Sequence, residues 1–422
     1  MDLTTVILTV ASLGGLYMAW TIGANDVANA MGTSVGSGAL TLRGAIIVAA
    51  IFEFGGAMLV GGSVTDTIRK GIVDLSTFGS DYNLVAIGMT CCLLAAALWL
   101  NLATYAGWPV STTHSIVGAV VGFGVAAGGF GAVDWGTIGN IAASWIVSPV
   151  MGGVIGYLVF ILIRRTILSK ENPLFALRGW GPIFVFPIIA ILSLSAMFKG
   201  LKPLKLDLPF VPAVLAAIGL GLVASLIAWP LFRRFAEKGE QARGDQGGKE
   251  ASLARTERAF MVLQVMTACF VAFAHGSNDV ANAVGPLAAV FGAITHQGLT
   301  ETVQVPYRVL LIGAVGIVVG LATYGYKIMA TIGKKITELT PSRGFSAEFA
   351  AATTIVFASK LGLPVSTTHT LVGAVIGVGF GRSIGAINLK VLRGIFASWF
   401  ITVPFTAILA AILFIIARAT LL

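Results

Sequence analysis

One ten-residue phrase occurs twice in this chain. Gly23-Ala24-Asn25-Asp26-Val27-Ala28-Asn29-Ala30-Met31-Gly32 returns as Gly276-Ser277-Asn278-Asp279-Val280-Ala281-Asn282-Ala283-Val284-Gly285. A second phrase repeats in step with it, Pro109-Val110-Ser111-Thr112-Thr113-His114 and Pro364-Val365-Ser366-Thr367-Thr368-His369. A fainter echo, Ala143-Ser144-Trp145 against Ala397-Ser398-Trp399, keeps nearly the same separation. The chain is therefore one unit duplicated. Each copy has kept amide, carboxylate and hydroxyl oxygens inside long apolar stretches, so the fold must bury these groups twice, in equivalent places.

The surrounding sequence says what they are buried in. Apolar residues make up 57% of the chain and charged residues 11%, and the mean hydropathy is +0.92. A soluble domain carries about 25% charged residues, so this chain lacks the polar surface to face water. Apolar runs near 45–62, 84–100, 183–197, 212–231 and 395–417 approach the roughly 20 residues that a spanning helix needs. The expected fold is all-α and polytopic, with about ten to twelve transmembrane helices. The first basic residue is Arg43, so the start lacks the positive region of a signal peptide and reads as a retained first helix with an external N-terminus. Arg233, Arg234, Lys238, Arg243, Lys249, Arg255 and Arg258 cluster around Gly247-Gly248, which predicts a flexible cytoplasmic loop. The net charge of +9 then needs no nucleic acid to explain it. Cys91, Cys92 and Cys269 lack metal-site spacing and read as packing residues. The absence of an Asn-x-Ser/Thr acceptor favours a prokaryotic source and the inner membrane.

Four segments follow: a first repeat over 1–163, connecting helices over 164–232, the basic loop over 233–258 and a second repeat over 259–422. With the N-terminus outside and the loop inside, the copies enter the membrane from opposite sides, the inverted-repeat plan of secondary transporters. An insertion carrying His296, Glu301 and Pro306 reads as a loop. Gly107-Trp108-Pro109 and Gly362-Leu363-Pro364 each mark one helix stopping and another starting, which predicts re-entrant hairpins. Ser111, Thr112 and Thr113, like Ser366, Thr367 and Thr368, are strong helix-start residues. A helix beginning partway through a bilayer presents unpaired N–H groups and a positive dipole end, a site suited to an anion. The plainer role for these hydroxyls is capping.

The Asn-Asp phrase points the other way. On a helix Asn25, Asp26 and Asn29 share one turn, as do Asn278, Asp279 and Asn282. Gly23 and Gly276 would let the helix unwind there and free carbonyls. A carboxylate in hydrocarbon is a functional candidate by default, and all-oxygen ligation suits Na⁺ or a proton. Bare aspartates would repel an anion, but cations held on them would attract it. Binding of the two is then coupled and reciprocal, which is a physical basis for symport. Glu53 and Glu348 stand in apolar contexts without counterparts in the other copy, as sites for a further cation, a proton or a pairing base. His114, His275 and His369 read mainly as capping or packing residues, and His296 as a loop residue. Lys360 is the nearest basic candidate for an anion clamp. A membrane hydrolase using Asp26 and Asp279 to activate water, and a passive channel, are the readings from other classes. No nucleophile–base or metal-ligand signature favours the first, and deep duplicated ligands disfavour the second.

Taken together, the two phrases in both halves resemble the inorganic phosphate transporter (PiT) family, in its compact prokaryotic form. The resemblance implies a multi-pass plasma-membrane symporter importing inorganic phosphate with Na⁺ or H⁺ by alternating access, with no resident cofactor. It implies that Asn25, Asp26, Asn278 and Asp279, with Ser111, Thr112, Ser366 and Thr367, bind sodium. Asn29 and Asn282 would surround phosphate with Ser111, Thr112, Thr113, Ser366, Thr367 and Thr368. Glu53, Glu348 and His275 are additional cation or proton candidates; the two glutamates match acidic positions of sodium-coupled relatives, which favours Na⁺. H⁺ coupling, a metal–phosphate complex and sulfate remain the sister readings. The expected partners are phosphate, sodium ions and the lipid bilayer, with homo-oligomerisation left open.

Overall fold

The computed structural model describes residues 2–61, 71–78, 81–197, 208–241, 248–296, 305–360, 365–383, 385 and 387–421. Thirteen α-helices dominate them. In the first half these are α1 (Leu3–Gly36), α2 (Leu42–Val60), α3 (Tyr82–Ala106), α4 (Thr112–Gly128) and α5 (Trp135–Ile163). Next come α6 (Pro173–Ser195) and α7 (Phe210–Gln241). The second half holds α8 (Lys249–His296), α9 (Tyr307–Tyr324), α10 (Tyr326–Lys334), α11 (Pro341–Lys360), α12 (Thr367–Arg382) and α13 (Leu389–Leu421).

Local sequence explains where these helices begin. Thr41, Asp81, Asp134 and Asn172 accept from Gly44 N, Leu84 N, Thr137 N and Phe175 N at 3.1, 3.0, 3.0 and 3.2 Å, the N-cap bond that satisfies an orphan donor. Glu257 does this from a distance, accepting from Ser342 N at 2.8 Å and Ser342 Oγ at 2.7 Å at the start of α11. Gly107, at φ +72°, ends α3: its N–H reaches Thr104 O and Trp108 N reaches Ala103 O. That left-handed turn suits glycine, which has no Cβ to clash.

Nine helices among the described residues are long and apolar enough to cross a membrane. Beside them α4, α10 and α12 are shorter, and α11 carries Ser, Arg, Glu, Thr and Lys that make it more polar. The loop expected over 233–258 is corrected. α7 runs on to Gln241 and α8 starts at Lys249, leaving a short connection. Ala, Arg, Lys, Glu and Gln are strong helix formers, and Arg233 pairs with Glu237 one turn on at 2.8 Å; charge alone did not make a loop.

The halves interlock. α1 packs on α9 as α8 packs on α2, and α4 packs on α13 as α12 packs on α5. Within each half α1 meets α3 and α8 meets α11. These pairings recur in both repeats with the halves exchanged. α6 and α7 pair at the side, where Phe184, Phe260 and Phe345 join α6, α8 and α11 in a second apolar cluster.

The crossings are close because glycine lies at them. A Cβ on Gly23 would run into the Ile317 carbonyl, and one on Gly320 into Trp20 O. At the mirrored crossing, Gly276 meets Glu53 O and Gly56 meets Phe273 O. Gly23 and Gly276 therefore do not unwind their helices, as the sequence suggested; α1 and α8 run unbroken through both phrases. The crossing helix backbones press directly on these glycines, which holds both helices in their regular hydrogen-bonded form. Gly56→Val should cost about 3 kcal/mol, the upper end of overpacking, and remove monodisperse protein from size-exclusion profiles. Gly55→Ala, where a Cβ meets nothing within 4 Å, should leave the profile and the Tm unchanged.

Candidate functional site

α1 and α8 bring the two Asn-Asp phrases to one buried place, and the starts of α4 and α12 close over them. Asp26, Asp279 and Glu53 are fully buried, and Asn29 and Asn282 almost so. Thr112 Oγ1 donates to Asp26 Oδ2 at 2.8 Å, and Thr367 Oγ1 donates to Asp279 Oδ2 at 2.8 Å. Each aspartate is thus met by the first helical residue of its own half. The asparagines reach across. Asn29 Nδ2 donates to Thr368 Oγ1 at 2.8 Å and Thr367 Oγ1 at 3.4 Å. Asn282 Nδ2 donates to Thr112 Oγ1 at 3.3 Å and Thr113 Oγ1 at 3.5 Å. Thr368 Oγ1 also donates to Asp26 Oδ1 at 3.2 Å.

Ser111 and Ser366 differ from the threonines beside them. Their hydroxyls accept from His114 N at 3.2 Å and His369 N at 3.1 Å, which makes them N-caps. Asn25 is also engaged: it donates to Thr104 Oγ1 at 2.9 Å and Trp108 O at 3.2 Å, and accepts from Val110 N at 3.3 Å. It pins the turn that joins α3 to α4. Asn278 donates to Asp279 Oδ1 at 2.8 Å. The counterpart turn, with Gly362, Leu363 and Pro364, lies outside the described residues, as do Glu301 and the side chains of Lys360 and His296.

The charge balance is one-sided. Among the described residues no lysine or arginine pairs with Asp26, Asp279, Glu53 or Glu348. The one titratable partner is His275, whose Nε2 lies 2.8 Å from Asp279 Oδ2 and 3.9 Å from Asp26 Oδ2, and whose Nδ1 lies 3.4 Å from Glu53 Oε1. Neither ring nitrogen makes an aligned hydrogen bond, so these are charge approaches. Ligand atoms of Asp26, His275 and Asp279 all lie within 4.8 Å of one another, close enough to share a cation. Both oxygens of Glu53 and the Asn29 Oδ1 have no hydrogen-bond partner. They are open acceptors aligned with the same demand.

Glu348 stands apart. It accepts from Thr33 Oγ1 at 2.5 Å, Ser34 Oγ at 2.6 Å, Gln264 Nε2 at 3.2 Å and Thr267 Oγ1 at 2.6 Å, tying α1, α8 and α11 together. Sequence reading missed these four donors. Their signal was a polar stripe at helical spacing inside apolar sequence: Asp26, Asn29 and Thr33 on α1, and Gln264, Thr267, His275, Asn278 and Asn282 on α8. His114 and His369 form a ring column with Trp145 and Trp399, at centroid separations of 3.6, 4.2 and 3.5 Å. They are packing residues behind the helix starts.

Paired helix starts facing paired acids, with one imidazole among three carboxylates, suit an oxyanion bound together with cations. The phosphate transporter family model matches residues 22–410. The chain belongs to that family. It is 46% identical to the chloroplastic inorganic phosphate transporter 2-1 of Arabidopsis thaliana, over 97% of this chain and 72% of that one. A solved structure, "The sodium-dependent phosphate transporter", superposes with a TM-score of 0.89 at 40% identity, covering 98% of this chain and 100% of that one. The phosphate transporter fold accounts for the interlocked halves, and the family is one of permeases, which removes the hydrolase reading.

The cross-half bonds should be measurable as coupling. In a double-mutant cycle of Asn29→Ala with Thr368→Val, thermal unfolding should give an interaction of about 1 kcal/mol. The Asn282→Ala and Thr113→Val cycle, across the longer contact, should give less.

Proposed function

We propose that this phosphate transporter imports inorganic phosphate across the cell membrane by Na⁺ symport through alternating access. The observation that carries the reading is the exchange of partners at the site: each aspartate is bonded by its own half's threonine, and each asparagine bridges to the other half's pair. Phosphate then sits against the starts of α4 and α12, on the unpaired first-turn N–H groups and the hydroxyls of Thr112, Thr113, Thr367 and Thr368, with Asn29 and Asn282 donating. Sodium ions sit on Asp26 and Asp279, sharing oxygens of Thr112 and Thr367 and supplemented by Asn25 and Asn278. Ser111 and Ser366 contribute chiefly by holding the helix starts in place. Residues 1–163 and 259–422 act as the inverted repeats, with residues 164–232 connecting them. The N-terminus is external, and the basic segment 233–258 is cytoplasmic.

Coupling follows from Coulomb's law. Two unit charges about 4 Å apart interact by about 4 kcal/mol at an effective dielectric of about 20, about a thousandfold in affinity. Phosphate facing two empty acids is repelled, and phosphate facing two occupied ones is attracted, so neither species crosses favourably alone. The solved structure with the 0.89 TM-score is of a sodium-dependent transporter, which supports Na⁺. A specific observation favours a second reading in which a proton replaces one Na⁺: His275 stands among Asp26, Asp279 and Glu53. Glu53, with no donor of its own, is the stronger candidate for a further cation, because the Glu348 oxygens are already met by four donors.

The deciding experiment is uptake of radiolabelled phosphate into proteoliposomes under imposed Na⁺ or H⁺ gradients, with sulfate as competitor. Accumulation against the phosphate gradient is expected only with Na⁺ outside; accumulation driven by pH alone would remove the sodium assignment. Asp26→Asn and Asp279→Asn should each lower the initial rate by about a hundredfold or more, in line with losing one such charge pair. Glu53→Gln should keep the fold and alter the Na⁺ dependence, whereas Glu348→Gln should lower the Tm by disturbing its donors.

A further inference from the structure

On the outer side of α1, Lys327 of α10 stands between two phenol rings. Its Nζ is 4.7 Å from the ring centroids of both Tyr105 and Tyr324, and it donates to Tyr324 Oη at 3.0 Å. Among the described residues no carboxylate pairs with it. Tyr105 is 72% exposed and Tyr324 half-buried, and Tyr326, 49% exposed, meets Tyr324 edge-on. The aromatic ladder continues along α1, with Tyr324 stacked on Trp20 at 5.9 Å and Trp20 on Tyr17 at 6.1 Å. Polar tips are satisfied along it, Trp20 Nε1 by Thr323 Oγ1 at 2.9 Å and Tyr17 Oη by Asn101 at 2.6 Å.

Tyrosine, tryptophan and lysine gather where a span meets the headgroups, and α9, one of the nine spans, ends at Tyr324. The patch therefore holds a cation lacking an anion, cradled by aromatic faces at the end of a span. We propose that Lys327, with Tyr105 and Tyr324, binds the phosphate group of an anionic membrane lipid. The phosphodiester supplies the missing negative charge, the phenol hydroxyls donate to its oxygens, and the acyl chains follow the apolar outer surface.

The patch is joined to the transport machinery. Thr331, one turn beyond Lys327, donates to Gly107 O at 3.2 Å, where α3 ends. Asn25 holds the next residues of the same turn. A lipid that steadies α10 therefore steadies the hairpin whose second arm begins at Thr112. Free phosphate offers the same chemistry as a headgroup, so the test separates the two sources.

Native mass spectrometry of the full-length protein would compare retention of phosphatidylglycerol and phosphatidylcholine. Uptake would be measured in vesicles of phosphatidylcholine alone and in vesicles containing phosphatidylglycerol. Wild type should retain phosphatidylglycerol preferentially and transport faster in its presence. Lys327→Gln should weaken that preference about fivefold, equivalent to about 1 kcal/mol for one lysine at an anionic surface, and lose the rate increase; Lys327→Arg should keep both. Unchanged retention in Lys327→Gln would overturn the proposal. A raised phosphate KM in that variant, equal in both vesicle types and without a change in lipid retention, would assign the cation to free phosphate instead. The retention measurement does not depend on Na⁺ coupling, so it stands or falls apart from the transport reading.

Discussion

Two carboxylates buried in apolar surroundings, with a single imidazole and, among the described residues, no lysine or arginine beside them, are the constraint from which the rest of this structure follows. An ionised acid in such a place costs several kcal/mol unless donors or cations face it. Here the donors come from helices that begin inside the protein. Their first residues, Thr112 and Thr367, bond Asp26 and Asp279, and their unpaired backbone ends need the opposite charge. Acid and helix start thus leave complementary deficits, one of positive charge and one of negative.

Interlocking makes this arrangement hold. Had the halves folded as separate lobes, Asn29 and Asn282 would have no hydroxyls to reach. Because α1 crosses α9 and α8 crosses α2 at glycine, the two long helices lie close enough for each asparagine to contact the other half's threonines. The same crossings keep α1 and α8 helical through the Asn-Asp phrases. A site built on unbroken helices has its geometry fixed by packing.

The duplication is not an exact symmetry. His275 has Ile22 as its counterpart in the first phrase's approach, and Glu53 and Glu348 have no acidic counterparts. Asp26 is met by hydroxyls and an amide with the imidazole at 3.9 Å, whereas Asp279 has that imidazole at 2.8 Å and, beyond it, Glu53. The two copies of the Asn-Asp phrase therefore differ in their electrostatic surroundings. Glu348, with four donors, has a structural hold on three helices that Glu53 lacks.

The repeated phrases and the low charge content settled, without any coordinates, that this chain is a duplicated helical membrane protein with acids, amides and hydroxyls at its centre. They did so because hydrocarbon tolerates such groups only in helices and only for a reason. The helix break at Gly107-Trp108-Pro109 was legible for the same cause, since Gly-x-Pro shortly before Ser-Thr-Thr has few other uses. The helical state of most of 233–258 was not legible, because charge marks a side of the membrane and not a conformation. Nor could sequence show which hydroxyls cap and which face the acids, or that Thr33, Ser34, Gln264 and Thr267 converge on Glu348. Those outcomes depend on contacts between residues hundreds of positions apart, and only the packing of one half into the other decides them.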